Sequence, residues 1–398
     1  MTDNLTTYIL TVNCGSSSLK FSLYHSLSTK LVWSGSVDQI GEKTGHFEIS
    51  DSSDKVLETK SAPYPNMGDA VGALTNWFKS NTHDYPLLAI AHRLVQGGHH
   101  HLKPEIITGE LLKTLSELVY LAPNHLPDEI STIKAFQSAF PGVQQIACYD
   151  TWFHRAMPSY ARNYPLPAEY HKKGLVHYGF HGLSYEYIMD ELAKEESPVA
   201  EQRIIIAHLG NGASMAAVRN GLSVDTTMGI SPIGGLVMGT RSGDLDPGVL
   251  IFLLRETKMT VDELEDLLSK RSGLLAIAGT SDVQELLKME PHSPKAAEAL
   301  TVFCYSAKKF IGSLAAAMGG LDMLIFTGGI GENSTVIRER ICKDLAFIGI
   351  TLDKQKNLKN ETFISCDSGK VIIRVMKTNE DLMMARLVCA VLNYAIKQ

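Results

Sequence analysis

The sequence predicts an α/β protein of two domains, and three observations carry that expectation. Its 398 residues, 44% of them apolar, suffice for two sizeable cores. Two stretches half a chain apart, residues 8–24 and 204–218, share one pattern: an apolar run, a small polar turn, a second apolar run. Strand-like runs also end in glycine-rich turns that lead into helix-like segments, as where Leu321–Phe326 meets the TGGIGENS run, 327–334. The paired hairpins suggest an internal duplication in which each half presents its turn to a shared cleft.

In order, Tyr8–Val12 reads as a strand, the turn runs from Asn13 through Ser16–Ser18, and Leu19–Tyr24 is the return strand. The turn lacks Walker A spacing, and an ordinary polar turn explains it equally well. Residues 31–62 read as further strands and loops. Leu87–Ala91 is a strand ending in His92 and Arg93 before Gly97 and Gly98, the place where open α/β sheets put ligands. His99–His101 cannot share one face of a strand and have no acidic partner close in sequence, so they are expected in solvent. Leu111–Ala122 has helical periodicity, and Pro127 suits the first turn of a helix through Phe140. His125, between two prolines, is either a structural hydrogen-bond partner or a substrate contact. Gln144–Cys148 is a strand ending at Asp150, a magnesium anchor or a helix cap. His181 lies between glycines before a helix expected to be capped at Ser184. Thr260 and Glu263 form a capping-box pattern, Ala296–Met318 is a long helix, and the segment after the 327–334 run is a helix through Leu345. Val371–Met376 is the last strand, and residues 378–381 cap a terminal helix to about Lys397.

The densest segment is Arg203–Gly248. Ile204–Ile206 is β-branched, and Gly210, Asn211 and Gly212 form a turn with bare backbone N–H groups that suits close approach of a phosphate. Glycines from 229 to 248 then surround Arg241, Asp244 and Asp246. Glycines alone would mean a long surface loop; with the hairpin, the arginine and the carboxylates they point to a polyanion site.

Other functions are excluded by balance. Net charge is −6, with 37 basic and 43 acidic residues and no long block of either sign, so a nucleic-acid footprint is not expected. No apolar run approaches a membrane span, the first residues lack signal-peptide features, and the six scattered cysteines contain no C-x-x-C. A cytoplasmic enzyme or ATPase is the expectation. Arginines 93 and 241, histidines 125, 181 and 208, carboxylates 150 and 380 and a GGIGEN turn are the inventory of metal-dependent phosphoryl transfer.

The chain resembles the acetate and butyrate kinase family, within the actin, chaperone-ATPase and sugar-kinase superfamily. The resemblance rests on NCGSSSLK at 13–20, HR-x-V at 92–95, YDTxFH at 149–154, YGFHG at 178–182, HLGNGAS at 208–214, DTTMG at 225–229, GTRSGDLDPG at 239–248, FTGGIGENS at 326–334 and TNE at 378–380. It implies two ribonuclease-H-like domains with an interdomain active-site cleft: 1–150, with a terminal helix 385–398 packing back on it, and 151–384 as the nucleotide-binding domain. It implies a homodimer that transfers a phosphoryl group between ATP and a short carboxylate, acetate being favoured and propionate its nearest rival. The catalytic set is Arg93, His125, Asp150, His181 and Arg241. Mg²⁺, with Mn²⁺ as an alternative, falls to Asn13, Asp150 and Glu380. ATP or ADP falls to Asn13, Lys20, His208, Gly210, Asn211, Gly212, Asp282, Gly329, Gly331 and Asn333. The acyl pocket falls to Arg93, Val95, Asn124, Phe180 and Pro232.

The departures bear on substrate. The family usually reads APLHNP where this chain has Ala-Pro-Asn-His-Leu-Pro at 122–127, so Asn124 stands where a leucine walls the pocket and Leu126 stands where the asparagine would be. Either the loop brings Leu126 in, or the pocket takes a more polar or longer acid. Gln284 stands where the family usually has an arginine near the nucleoside, and Gln96 and Gly234 also differ from the commoner residues.

Overall fold

A computed structural model describes residues 6–15, 17–81, 85–195 and 202–394. The chain divides into two compact units, Met1–Trp152 with Asn379–Gln398, and Phe153–Thr378. The sequence places the break near 150 and returns only 385–398 to the first unit.

The first unit holds an eight-stranded sheet of β1 (Tyr8–Cys14), β2 (Ser18–His25), β3 (Leu31–Asp38), β4 (Gly45–Asp51), β5 (Val56–Ala62), β6 (Leu87–Leu94), β7 (Glu105–Ile106) and β8 (Gln144–Tyr149). Their order is β5-β4-β3-β2-β1-β6-β8-β7. β1 is antiparallel to β2 and parallel to β6, which is parallel to β8. Leu10, Val12, Phe21 and Trp33 pack with Val71, Leu74 and Phe78 of the Met67–Asn81 helix. The exposed β5 carries Glu58 and Lys60, charges that blunt a sheet edge.

The second unit holds β9 (Arg203–Leu209), β10 (Ala213–Arg219), β11 (Leu222–Thr226), β12 (Met323–Thr327) and β13 (Ile372–Val375), in the order β11-β10-β9-β12-β13. Ile204 and Ile206 are fully buried against Tyr185, Ile188 and Leu192 of the Gly182–Ala193 helix. The Pro294–Met318 helix packs on β9, β10 and β11. Five strands of the first sheet, β3-β2-β1-β6-β8, repeat this order: a hairpin, a third antiparallel strand, then two parallel strands. The duplication expected from the two hairpins is present at the level of topology, and the α/β class with two ribonuclease-H-like units holds.

Several local expectations are corrected. The helix after YGFHG begins at Gly182 with His181 as its N-cap; Ser184 lies inside the first turn, its hydroxyl turned to His208. GGIGEN is itself helical over Gly328–Asn333, because Gly328 takes a φ of +75° and turns the strand directly into a helix. The segment Leu111–Ala122 forms a helix only over Gly109–Glu117, then a 3-10 turn at Val119–Leu121. The terminal helix is Glu380–Val391 rather than 385–398. Ser16 and residues 395–398 lie outside the described residues. His101 is not in free solvent: it is half-buried, with Nδ1 2.8 Å from Glu105 Oε1, an acidic partner four residues on.

Candidate active site

Parallel pairing sets Arg93 opposite Cys148 and Leu94 opposite Tyr149. Arg93 and Asp150, 57 residues apart in sequence, therefore meet where the two strands end. Arg93 Nε donates to Asp150 Oδ1 at 2.9 Å and Nη2 to Oδ2 at 2.5 Å, a bidentate pair. Nη1 donates to Asn13 Oδ1, at the end of β1, at 3.0 Å. Glu380, opening the terminal helix, brings Oε2 to 4.0 Å from Nε. Burial works against the Arg93 charge, but Asp150 and Glu380 outweigh it and hold the guanidinium above its ordinary pKa. Burial raises the Glu380 carboxyl; Arg93 opposes that shift and Asp150 adds to it.

Two carboxylates around one guanidinium leave negative charge that a cation would balance. Among the described residues, no group of three His, Cys, Asp or Glu is placed to hold a metal ion. Magnesium needs none, since it commonly takes one or two carboxylates and completes its shell with phosphate and water. Asp150, Glu380 and Asn13 offer the hard oxygen donors it prefers.

The second unit carries a ring pair. His181 and His208 stack with centroids 4.3 Å apart and 18° between planes. His208 Nδ1 meets Ser184 Oγ at 2.8 Å, and His181 Nδ1 meets Ser214 Oγ at 2.8 Å, with Tyr185 hydroxyl on the same serine. His181 sits at φ +56°, left-handed backbone that costs a histidine about 1–3 kcal/mol. Arg241 Nη1 donates to the Pro232 carbonyl at 3.1 Å. A Cβ added at Gly212 would lie 3.3 Å from His181 Nε2 and 3.4 Å from Arg241 Nη1, so imidazole and guanidinium converge on a bare glycine.

A cavity of about 830 Å³ opens in the same unit, lined among others by Gly210, Asn211, Asp282, Gln284, Gly329 and Asn333. Asp282 also caps the Val283–Met289 helix through the N–H groups of Gln284 and Glu285. Asn333 Nδ2 donates to the Gly329 carbonyl at 2.9 Å. The Glu332 carboxylate, at 2.9 Å from the Gly328 N–H and 3.1 Å from that of Thr378, ties down the start of the GGIGEN helix.

The expected nucleotide residues thus fall into groups. Gly210, Asn211, Asp282, Gly329 and Asn333 line the cavity. His208 and Gly212 belong with His181 and Arg241, and Gly331 is buried behind. Asn13 and Lys20 are in the first unit; Lys20 is exposed on β2 beside a smaller polar hollow of about 300 Å³ with Ser22, Ser36 and Asp381. Of the acyl-pocket residues, Val95 and Phe180 are buried and Pro232 stands against Arg241. Asn124 is exposed, and Leu126 is buried in the core with Leu94, Leu111 and Ile133. Leu126 thus fills the core, and the exposed Asn124 carries no buried unpaired amide. His125 is the N-cap residue of the Leu126–Ala139 helix. Ser214, Tyr185 and Glu129 were not expected, and Ser184 was expected only as a helix cap. Their partners lie 24 to 34 residues away in sequence, and no local spacing announces them.

By fold, the protein is a two-domain α/β protein with one mixed sheet per domain and glycine turns after β9 and β12 of the second. The chain belongs to the acetokinase family, whose model matches residues 8–386. It is 42% identical over 391 residues to the acetate kinase of Coprothermobacter proteolyticus, covering 95% of this chain and 97% of that one. The solved acetate kinase of Porphyromonas gingivalis matches with a TM-score of 0.86 and 34% identity over 97% of this chain and 100% of that one. A propionate kinase from Francisella tularensis matches with a TM-score of 0.89 and 36% identity over 96% of this chain and 98% of that one.

Proposed function

We propose that the protein is an acetate kinase, moving the ATP γ-phosphoryl group directly and reversibly onto acetate to give acetyl phosphate and ADP. The observation that carries this reading is the Arg93–Asp150–Asn13 cluster at the ends of three adjacent strands, in a member of the acetokinase family. The acceptor is a carboxylate, already ionised at neutral pH because carboxyl groups titrate at about 4 to 5, so no general base is needed. The barrier is repulsion between two anions. Three of the five N–H donors of Arg93 are spent on Asp150 and Asn13, which leaves two to take an acceptor oxygen. Arg241 and the Nε2 side of His181 face the equatorial oxygens of the phosphoryl group in flight, where fixed donors stabilise developing charge. His125 assists there from the start of its helix. The glycine-lined cavity takes the nucleotide, with Gly329 and Asn333 against it and Gln284 near the nucleoside; Val95, Phe180 and Pro232 are assigned to the acyl group. Mg²⁺, or Mn²⁺ in its place, would be held by Asp150, Glu380 and Asn13 and supplies neutralisation of the nucleotide phosphates.

The protein works as a homodimer in this reading, which the exposed apolar residues Val249, Ile251 and Phe252 of one helix support. The six free thiols suit a reducing cytoplasm. Among the described residues no helix is long and apolar enough to cross a membrane. Propionate is the second reading, favoured by the similarity to a propionate kinase. The test is ADP release from Mg·ATP with acetate, propionate or butyrate, with hydroxylamine to trap acyl phosphate. Trappable, acetate-dependent product is expected. A clear preference for propionate moves the assignment to that acid, and ADP release without any acid makes the protein an ATPase.

A further inference from the structure

One more carboxylate stands behind Arg93. Glu129 lies in the first turn of the Leu126–Ala139 helix, where an acidic side chain ordinarily faces water and the helix's own N–H groups. Here it is 3% exposed, and both its oxygens face the backbone N–H of Val95, at 3.2 and 3.3 Å. Val95 is the first residue past β6. Leu94 closes the ladder opposite Tyr149 and gives its carbonyl to the Asp150 N–H at 2.9 Å. The next N–H, on Val95, has passed the end of the strand pairing, and the Glu129 carboxyl serves it instead.

The same helix touches the site twice more. Its N-cap residue is His125, whose carbonyl accepts the Glu129 N–H at 3.1 Å. One turn on from Glu129, the Thr132 hydroxyl reaches Cys14 Sγ at 3.4 Å, beside Asn13, which takes Arg93. We infer that Glu129 is a positioning residue: by holding the Val95 N–H it locks the strand end bearing Arg93 and Val95 to the helix start bearing His125, and so sets the pocket for the acceptor carboxylate. This rests on reading Arg93 and Val95 as acceptor-binding residues. Burial pushes the Glu129 carboxyl up to about 8, with Arg93 pulling the other way. Burial thus favours the uncharged acid, and an amide of the same shape is its nearest substitute.

The test uses the full chain with Glu129→Leu, Glu129→Asp and Glu129→Gln, measured with acetate and Mg·ATP. Leucine removes the acceptor, and the Val95 donor then stays buried and unpaired. KM for acetate should rise about tenfold or more while KM for ATP stays within about twofold. Aspartate, one methylene short, should follow leucine more weakly; glutamine keeps an acceptor oxygen and should stay within about threefold of wild type. An unchanged KM for acetate in Glu129→Leu, a parallel rise in both KM values, or a glutamine variant as poor as leucine overturns the inference. Should leucine fail to fold, the aspartate–glutamine comparison decides in the same sense. Absence of acetate-dependent turnover in the wild type would sink the functional reading instead. In that event hydrogen exchange at the Val95 amide decides the Glu129 contact, faster exchange in the aspartate variant than in wild type supporting it and equal rates overturning it.

Discussion

The two units share one strand order and furnish its ends in different ways. In the first, Asn13, Arg93 and Asp150 stand at or just past the ends of β1, β6 and β8, polar and charged side chains locked to one another. In the second, β9 and β12 end in bare glycines, Gly210 and Gly212 after one strand and Gly328 and Gly329 after the other. In the proposed reaction the first unit would work through side-chain charge, the second largely through open backbone, with Arg241 and two histidines beside it. The difference teaches where each half is vulnerable: the first to loss of charge, the second to added bulk.

The sharpest way to break that contrast is to remove an arginine from each side. Arg241→Ala and Arg93→Ala should each lower kcat by about two orders of magnitude or more, measured with acetate and Mg·ATP. Only Arg93→Ala should also lose about 3 kcal/mol of stability in urea unfolding, because it strands the 1%-exposed Asp150 without its counter-charge. Equal stability losses would erase the distinction. Added bulk comes next. A Cβ at Gly329 meets no protein atom within 4 Å, so Gly329→Ala should keep its melting temperature and raise KM for ATP by about tenfold. An unchanged KM would mean that no ligand lies against that backbone.

A subtler expectation concerns pH. Burial lowers the His92 pKa to about 4, with Gln145 opposing through a 2.7 Å hydrogen bond. The unfolded chain takes up that proton near pH 6.5, so the stability of keeping His92 neutral is present above pH 6.5 and is lost as pH falls toward 4. Melting curves between pH 7 and 4 should therefore fall more steeply for the wild type than for His92→Gln. The smallest effect is expected at Asn124. Its side chain is exposed, so Asn124→Leu should change the ratio of kcat/KM for acetate and propionate by less than about threefold. A larger change would put Asn124 back in the acyl pocket.

Much of the fold was legible because it is written locally. The hairpins, the strand ends at Arg93 and Asp150 and the Thr260–Glu263 capping box each follow from spacing within a few residues. The pairing of Arg93 with Asp150 was not, because it depends on the parallel register of β6 and β8. The place of Leu126 was left open for a related reason: one leucine between a histidine and a proline looks the same whether it walls a pocket or fills a core. Glu129 looked like any acidic residue in a first helical turn, and only the end of β6 gives it a task. His181 as an N-cap in left-handed backbone was equally hidden, since Ser184 is the more ordinary cap.

The central claim is that a carboxylate oxygen of the acceptor forms the new bond to phosphorus. The measurement is to run the reaction with acetate labelled with ¹⁸O in its carboxylate, trap acyl phosphate with hydroxylamine, and analyse the released phosphate by mass. Hydroxylamine attacks the carbonyl carbon, so the bridging oxygen leaves with phosphorus. One labelled oxygen per phosphate is the expected result. Phosphate with no label would mean that phosphorus never bonded to acetate, and would contradict the account.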